Sequence, residues 1–272
     1  MSNKTPESRI GYGSQRNFDQ GPSTYSDGNL LLKINKAAKL SDGSDSKLVV
    51  DLMSGPGRLG LDLQRLNTRH RFLFIDADPR QIEKARQASL DERNIFQVAD
   101  IRNMPEIEDK TADTAVVCYG LKDLPWDEKG IALREIRRIM RPESTLVVAD
   151  MVSPDQETQD WLNRQHRMKQ EMEWRDPKIH GLCYIPRADE WESFLHRAGF
   201  WASVDNYHTS FVTTNDWVSG GQINEDQLAA LNKFILQAPK SVTEKLNIRQ
   251  EQDLVKIDYP LVIIRAVKQP WT

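Results

Sequence analysis

Residues 48–60 read LVVDLMSGPGRLG, a short apolar run, a turn, and the opening of an amphipathic segment. Leu48–Leu52 has the composition of a buried strand, and 58–66 has helical apolar spacing. Between them, Gly55 to Gly60 spells G-P-G-R-L-G, the G-x-G-x-x-G spacing that brings backbone close to a ligand at a helix start. Asp51 complicates a dinucleotide reading. It ends the strand four residues before Gly55, where an anion repels a pyrophosphate and suits a cationic ligand.

Moving outward, further β-branched and aromatic runs lie at Phe72–Ile75, Ile95–Val98, Thr114–Cys118 and Thr145–Ala149. Helical patterns at about 58–66, 79–90 and 128–141, and a weaker one near 101–108, separate the strands. Continuous apolar strands alternating with helices predict a mostly parallel, doubly wound α/β sheet covered on both faces. Ligands of such sheets sit at the carboxyl ends of the strands, where 53–60 falls.

The second half is less regular. Ser153-Pro154-Asp155-Gln156 predicts a helix start with Ser153 as N-cap, running to about Trp174. A loop at 176–186 precedes a helix over 187–200 closed by Gly199. Late strands are expected at 201–211 and 259–268. The nearly fifty residues between them are too many for a hairpin loop and predict an inserted helical cap, with starts at Asn224/Gln227 and Ser241/Glu244. The expected organisation is an N-terminal cap segment (1–45), a ligand-binding core (46–152), a lid helix and loop (153–186), and the last helix and strands with a cap insertion at about 213–255 (187–272).

Acids recur at the strand ends. Asp76, in FLFIDADP, follows Gly57 by 19 residues and is placed to accept hydrogen bonds from ribose hydroxyls. Asp100, in FQVADIRNMP, is placed to accept an adenine amine, and VVCYGLKDLP (116–125) opens the fourth strand into a glycine-containing loop. One acid at each of three successive strand ends describes a ligand with a ribose, an adenine amine and a positive charge. S-adenosylmethionine (SAM) has all three and no phosphate. An NAD(P)-dependent oxidoreductase remains the alternative that the literal glycine spacing offers.

These motifs resemble those of class I SAM-dependent methyltransferases, most closely the ubiquinone/menaquinone-biosynthesis group and related small-molecule enzymes. VVDLMSGPGRLG is similar to the family's first motif, IDADPRQIEKAR to its second and VADIRNMP to its third. CYGLKDLP followed by ALREIRRIMRP is similar to its fourth motif and the next helix. The resemblance implies a Rossmann-like, mostly parallel seven-stranded sheet with an antiparallel last strand and helical cap insertions. It implies SAM as cofactor and S-adenosylhomocysteine as product. Carried over by position, Ser54, Gly55 and Gly57 bring backbone to the methionine and ribose, Asp76 with Ala77 binds the ribose, and Asp100 with Ile101 meets the adenine. The Cys118 carbonyl and Tyr119 lie by the amino group and the transferred methyl, and Asp51 holds the amino group. Two positions depart from the family: Met53 replaces a usual glycine, and Pro142-Glu143-Ser144 replaces Pro-Gly-Gly. Met53 keeps open a protein that binds SAM without methylating.

Composition narrows the partners. The 272 residues carry a net charge of −3 from 37 basic and 40 acidic side chains, so nucleic acid is not the expected partner. Cys118 and Cys183, the two cysteines, lack metal-site spacing, and no metal is expected. A polar N-terminus and the lack of an apolar run near ~18 residues predict a cytoplasmic protein without a membrane span. A monomer or homodimer acting on a small molecule is expected. About half of the aromatic residues fall between Trp161 and Trp217, so Trp161, Trp174, Tyr184 and Tyr207 are candidates to line a flat or apolar acceptor. His166, His180 and His208 lie in the same half, and His180, with Tyr119, is the expected catalytic residue, as a base for the acceptor.

Overall fold

The computed structural model describes residues 28–43, 45–173, 183–204, 206–219 and 223–270. Helix α1 (Gly28–Ala37) leads to β1 (Leu48–Leu52), α2 (Arg58–Leu66), β2 (Arg71–Asp76), α3 (Pro79–Ala88), β3 (Ile95–Val98) and β4 (Ala112–Cys118). Helix α4 (Trp126–Ile139) then runs straight into β5 (Met140–Met151), followed by α5 (Gln156–Met172) and α6 (Ala188–Arg197). The remaining elements are β6 (Phe200–Ser203), β7 (Tyr207–Thr213), α7 (Thr214–Val218), α8 (Glu225–Leu236), α9 (Lys240–Lys245), β8 (Arg249–Glu251) and β9 (Leu254–Lys268).

Among the described residues the strands form one sheet with the path β3-β2-β1-β4-β5-β9-β6. The first five strands are mutually parallel, and β9 is antiparallel to β5. Strand order reverses between β1 and β4, and this switch point opens a crevice beyond their carboxyl ends. The seven-strand path with a late antiparallel strand is the expected architecture. The short strands β7 and β8 are additional, and both pair with the long β9.

Strand pleating divides the core in two. Val49, Phe72, Phe74, Val116 and Val147 pack on one face with α1, α2 and α5, while Val50, Leu52, Ala115 and Val148 pack on the other with α4 and α6. Burying each such Val, Leu or Phe side chain stabilises the fold by roughly 1.5–3 kcal/mol. Trp191 anchors α6, fully buried, with its indole N–H donating to the Met151 carbonyl at 3.1 Å.

Several local expectations differ from the structure. Helix α5 starts at Gln156 with Asp155 as N-cap, its carboxylate accepting from the Thr158 amide at 2.9 Å. Ser153 instead forms a β-bridge with Arg187. Segment 101–108 is a chain of turns, because Pro105 breaks the ladder and Asp100 bridges to Asn103. Helix α9 begins at Lys240 after Pro239, and the Ser241 hydroxyl donates to Glu157 at 2.7 Å. Asn224 and Gln227 do form the expected capping box at the start of α8. No helix among the described residues is long and apolar enough to cross a membrane.

Candidate functional site

The turn after β1 is built from left-handed residues at alternate positions: Met53 (φ 54°), Gly55 (φ 53°) and Gly57 (φ 79°). This path turns the chain through the Ser54 amide, which donates to Ile75, and the Gly57 amide, which donates to Ser54, both at 2.9 Å. Met53 therefore occupies a backbone region in which glycine is relaxed and other residues are strained. Its side chain packs against Gly120, where an added Cβ would lie 2.8 Å from the Met53 sulfur. The third glycine of the run, Gly60, permits close approach: a Cβ there would stand 2.5 Å from Phe74 Cε1 and 2.7 Å from Asp51 Oδ2.

That approach seats α2 on the tip of β1. The Gly60 amide, in the first turn of α2, donates to Asp51 Oδ2 at 3.0 Å. Asp51 is fully buried, and burial, with the neighbouring Asp76 charge, pushes its carboxyl up to about 7 against the pull of the Gly60 amide. Asp76, at the tip of β2, accepts from the Gly55 amide at 2.8 Å and the Asp78 amide at 2.9 Å, and burial also raises its carboxyl. Among the described residues neither acid forms a salt bridge. Ala77 beside Asp76 is exposed, and Ser54 is half-buried.

Asp100 follows β3 and is differently placed. The Arg102 guanidinium embraces its carboxylate, with Nε at 2.8 Å, and also pairs with Glu128. Ile101 beside it is buried. At the tip of β4, Cys118 is buried with its thiol pushed well up by desolvation. Tyr119 is left-handed at φ 54°, and its amide donates to Ala149 at 2.9 Å.

Three residues around this crevice escaped the sequence reading: Lys122, Lys129 and Asp150. Asp150 near the end of β5 is fully buried, accepts from the amides of Lys122 (3.0 Å) and Met151 (2.8 Å), and has its carboxyl raised by burial. Lys122 Nζ donates to the Tyr119 carbonyl and pairs with Asp123, each at 2.9 Å. Lys129 on α4 is fully buried and donates to the carbonyls of Leu121 (2.6 Å) and Leu124; desolvation lowers its ammonium to about 8. The Tyr184 amide donates to the Lys122 carbonyl at 2.9 Å. The loop carrying Tyr119 is thus fixed from β5, α4 and the segment before α6. An acid near the end of a fifth strand, VVADM, was the available signal for Asp150.

The described residues expected to line an acceptor pocket each have their own contacts. Trp161 stacks on Phe234 at 5.6 Å, the Tyr184 hydroxyl donates to Glu190 at 2.8 Å, and Tyr207 is half-exposed. His166 is buried against Trp217 (5.0 Å) and Tyr259 (6.1 Å); desolvation lowers its imidazole to about 3, which leaves it neutral. His208 lies on β7. His180 and Trp174 lie outside the described residues.

Comparison with known proteins gives a consistent family. Residues 44–199 match the family described as "Methyltransferase domain". Demethylmenaquinone methyltransferase of Chlamydia caviae is 28% identical over 138 residues, 51% of this chain and 57% of that protein. The enzyme of the same name from Desulfitobacterium hafniense is 28% identical over 124 residues, 44% of this chain and 48% of that protein. The chain thus spans about half the length of these curated relatives. The YcgJ protein of Bacillus subtilis has a similar fold, with a TM-score of 0.75 at 16% identity, covering 89% of this chain and 98% of that one.

Proposed function

We propose, on the premise that this chain belongs to the methyltransferase domain family, that it binds SAM and methylates a small, aromatic or apolar molecule at an O, N or C atom. The observation that carries the reading is the pair of acids at the tips of β1 and β2, Asp51 buried and Asp76 half-buried, neither salt-bridged among the described residues, beside a left-handed glycine turn. Buried carboxylates without a cation are costly and fit a positively charged ligand. The same pair would repel the diphosphate of NAD(P), which leaves the alternative with glycine spacing alone. Met53, the only support for a non-methylating binder, keeps the left-handed backbone of the glycine it replaces.

In this reading Asp76 takes the ribose hydroxyls, with Ala77 beside it, and Gly55 and Gly57 admit the ligand close to backbone. Asp100 and Ile101 face the adenine, the Cys118 carbonyl and Asp51 orient the amino group, and Ser54 lines the methionine tail. When bound, SAM supplies an electrophilic methyl on a sulfonium. The chain's own contribution is alignment and exclusion of water. Tyr119, held on a loop fixed by Lys122, Lys129 and Asp150, forms the wall between cofactor and acceptor. His180 remains the proposed base for an acceptor that must lose a proton.

Calorimetric titration with SAM and with NADH tests the reading. SAM is expected to bind and NADH is not; binding of NADH without SAM would overturn it.

A further inference from the structure

The acids at these strand ends share one circumstance: Asp51 and Asp150 are buried, Asp76 beside Asp51 is half-buried, and all three accept hydrogen bonds from backbone amides. Asp51 and Asp76 are neighbouring acids on adjacent strand tips with no salt bridge among the described residues, and two such carboxyls do not both stay ionised without cost in a low-dielectric site. Asp51 is the more enclosed of the two neighbours. Its described surroundings are the Gly60 amide on α2, the Asp76 carboxyl on β2 and the buried Cys118 thiol on β4. Asp76 is the more exposed of the pair and is relieved by two amides, against one for Asp51, so the proton of the pair falls to Asp51.

We propose that Asp51 carries a proton while the crevice lacks cofactor and releases it to solvent when SAM binds, so that cofactor loading is an exchange of one cation for another. The inference rests on the proposed cofactor. The positive ligand stabilises the Asp51 carboxylate, and the free protein binds more protons than the complex. Affinity for SAM therefore rises with pH until Asp51 is ionised in the free protein. With a carboxyl that ionises at about 7, the apparent SAM affinity from this site alone is about tenfold weaker at pH 6 than at pH 8.

Isothermal titration of SAM at pH 6.5, in buffers of different ionisation enthalpy, counts the protons released. At that pH the ligand's own amino group stays protonated, since α-amino groups ionise near ~7.7–8. The expected release is about three-quarters of a proton per SAM for the natural chain, with less than half of that for Asp51→Asn. Carboxyl carbon NMR of the natural chain supplies a readout that does not depend on the variant folding. A carboxyl titrating near neutrality is expected in the free protein and absent with SAM. SAM binding without proton release, equal release by Asp51→Asn, or no neutral-range carboxyl overturns the proposal while leaving the cofactor assignment standing. Failure of SAM to bind removes both.

Discussion

Replacing Asp51 by asparagine should make the cofactor-free protein more stable at alkaline pH, although the side chain belongs to the binding site. Its carboxyl ionises at 3.8 in an unfolded chain and at about 7 in the folded one. The folded pKa is raised, so the folded state holds the extra proton. The associated stability is fully present below pH 3.8 and is lost as pH climbs through about 7. A gap of about three pH units corresponds to about 4 kcal/mol over the whole range, of which about 2–3 kcal/mol falls between pH 5 and pH 8. Asparagine has no such titration, but its amide N–H groups replace a carboxylate oxygen in a site built from donors, a constant penalty of about 1–3 kcal/mol. Relative to the natural chain, the variant should therefore gain about 2–3 kcal/mol between pH 5 and pH 8. Urea unfolding at both pH values, without SAM, measures the difference. A stability gap independent of pH would refute the placement of an acid with a raised ionisation range at this position. Such a trade of stability for binding is common where a site needs uncompensated charge.

Other consequences are simpler to state. Gly120→Ala should cost about 1–3 kcal/mol by overpacking against Met53, and much less in a Met53→Gly background; additive effects in urea unfolding would contradict the contact. Asp76→Ala should weaken SAM binding by about 1–3 kcal/mol in calorimetry, and natural affinity would remove Asp76 from the site. Asn224→Ala should cost about 1 kcal/mol through the α8 capping box, read as a lower urea midpoint.

The central sheet was legible because β1, β2, β4 and most of β5 are buried on both faces and read as apolar runs between helices. Leu48–Leu52 matches the observed β1 for that reason. Strand β5 begins five residues earlier than the apolar pattern, since Arg141, Pro142 and Glu143 are exposed in succession and carry no apolar signal, and Glu143 takes a left-handed conformation (φ 62°) there. Ile101, Met104 and Ile107 have helix-like spacing but are buried as successive turns, a choice made by Pro105 and the Asp100–Asn103 bridge. Ser153 lost its expected capping role because its backbone is engaged by the segment before α6, a tertiary contact with no local signal.

The candidate site divides the same way. Asp51, Asp76 and the glycine turn lie on one contiguous motif and its nearest parallel neighbour, so their order along the chain predicts their proximity. Lys129 and Asp150 meet the crevice only through packing of α4 and β5 around the β4 loop. Their burial, which is the property that matters, is invisible in an isolated stretch of sequence. Of the aromatic residues expected to line an acceptor, Trp161 stacks on Phe234, Tyr184 bonds Glu190 and Tyr207 is exposed, contacts that an isolated stretch of sequence does not signal.

The most direct measurement is a crystal structure of the protein soaked with SAM. The account predicts ligand density beyond the carboxyl ends of β1 and β4, with the ribose hydroxyls on Asp76 and the amino group on the Asp51 side. A ligand lodged elsewhere, or a crevice that stays without density at saturating concentration, would contradict it.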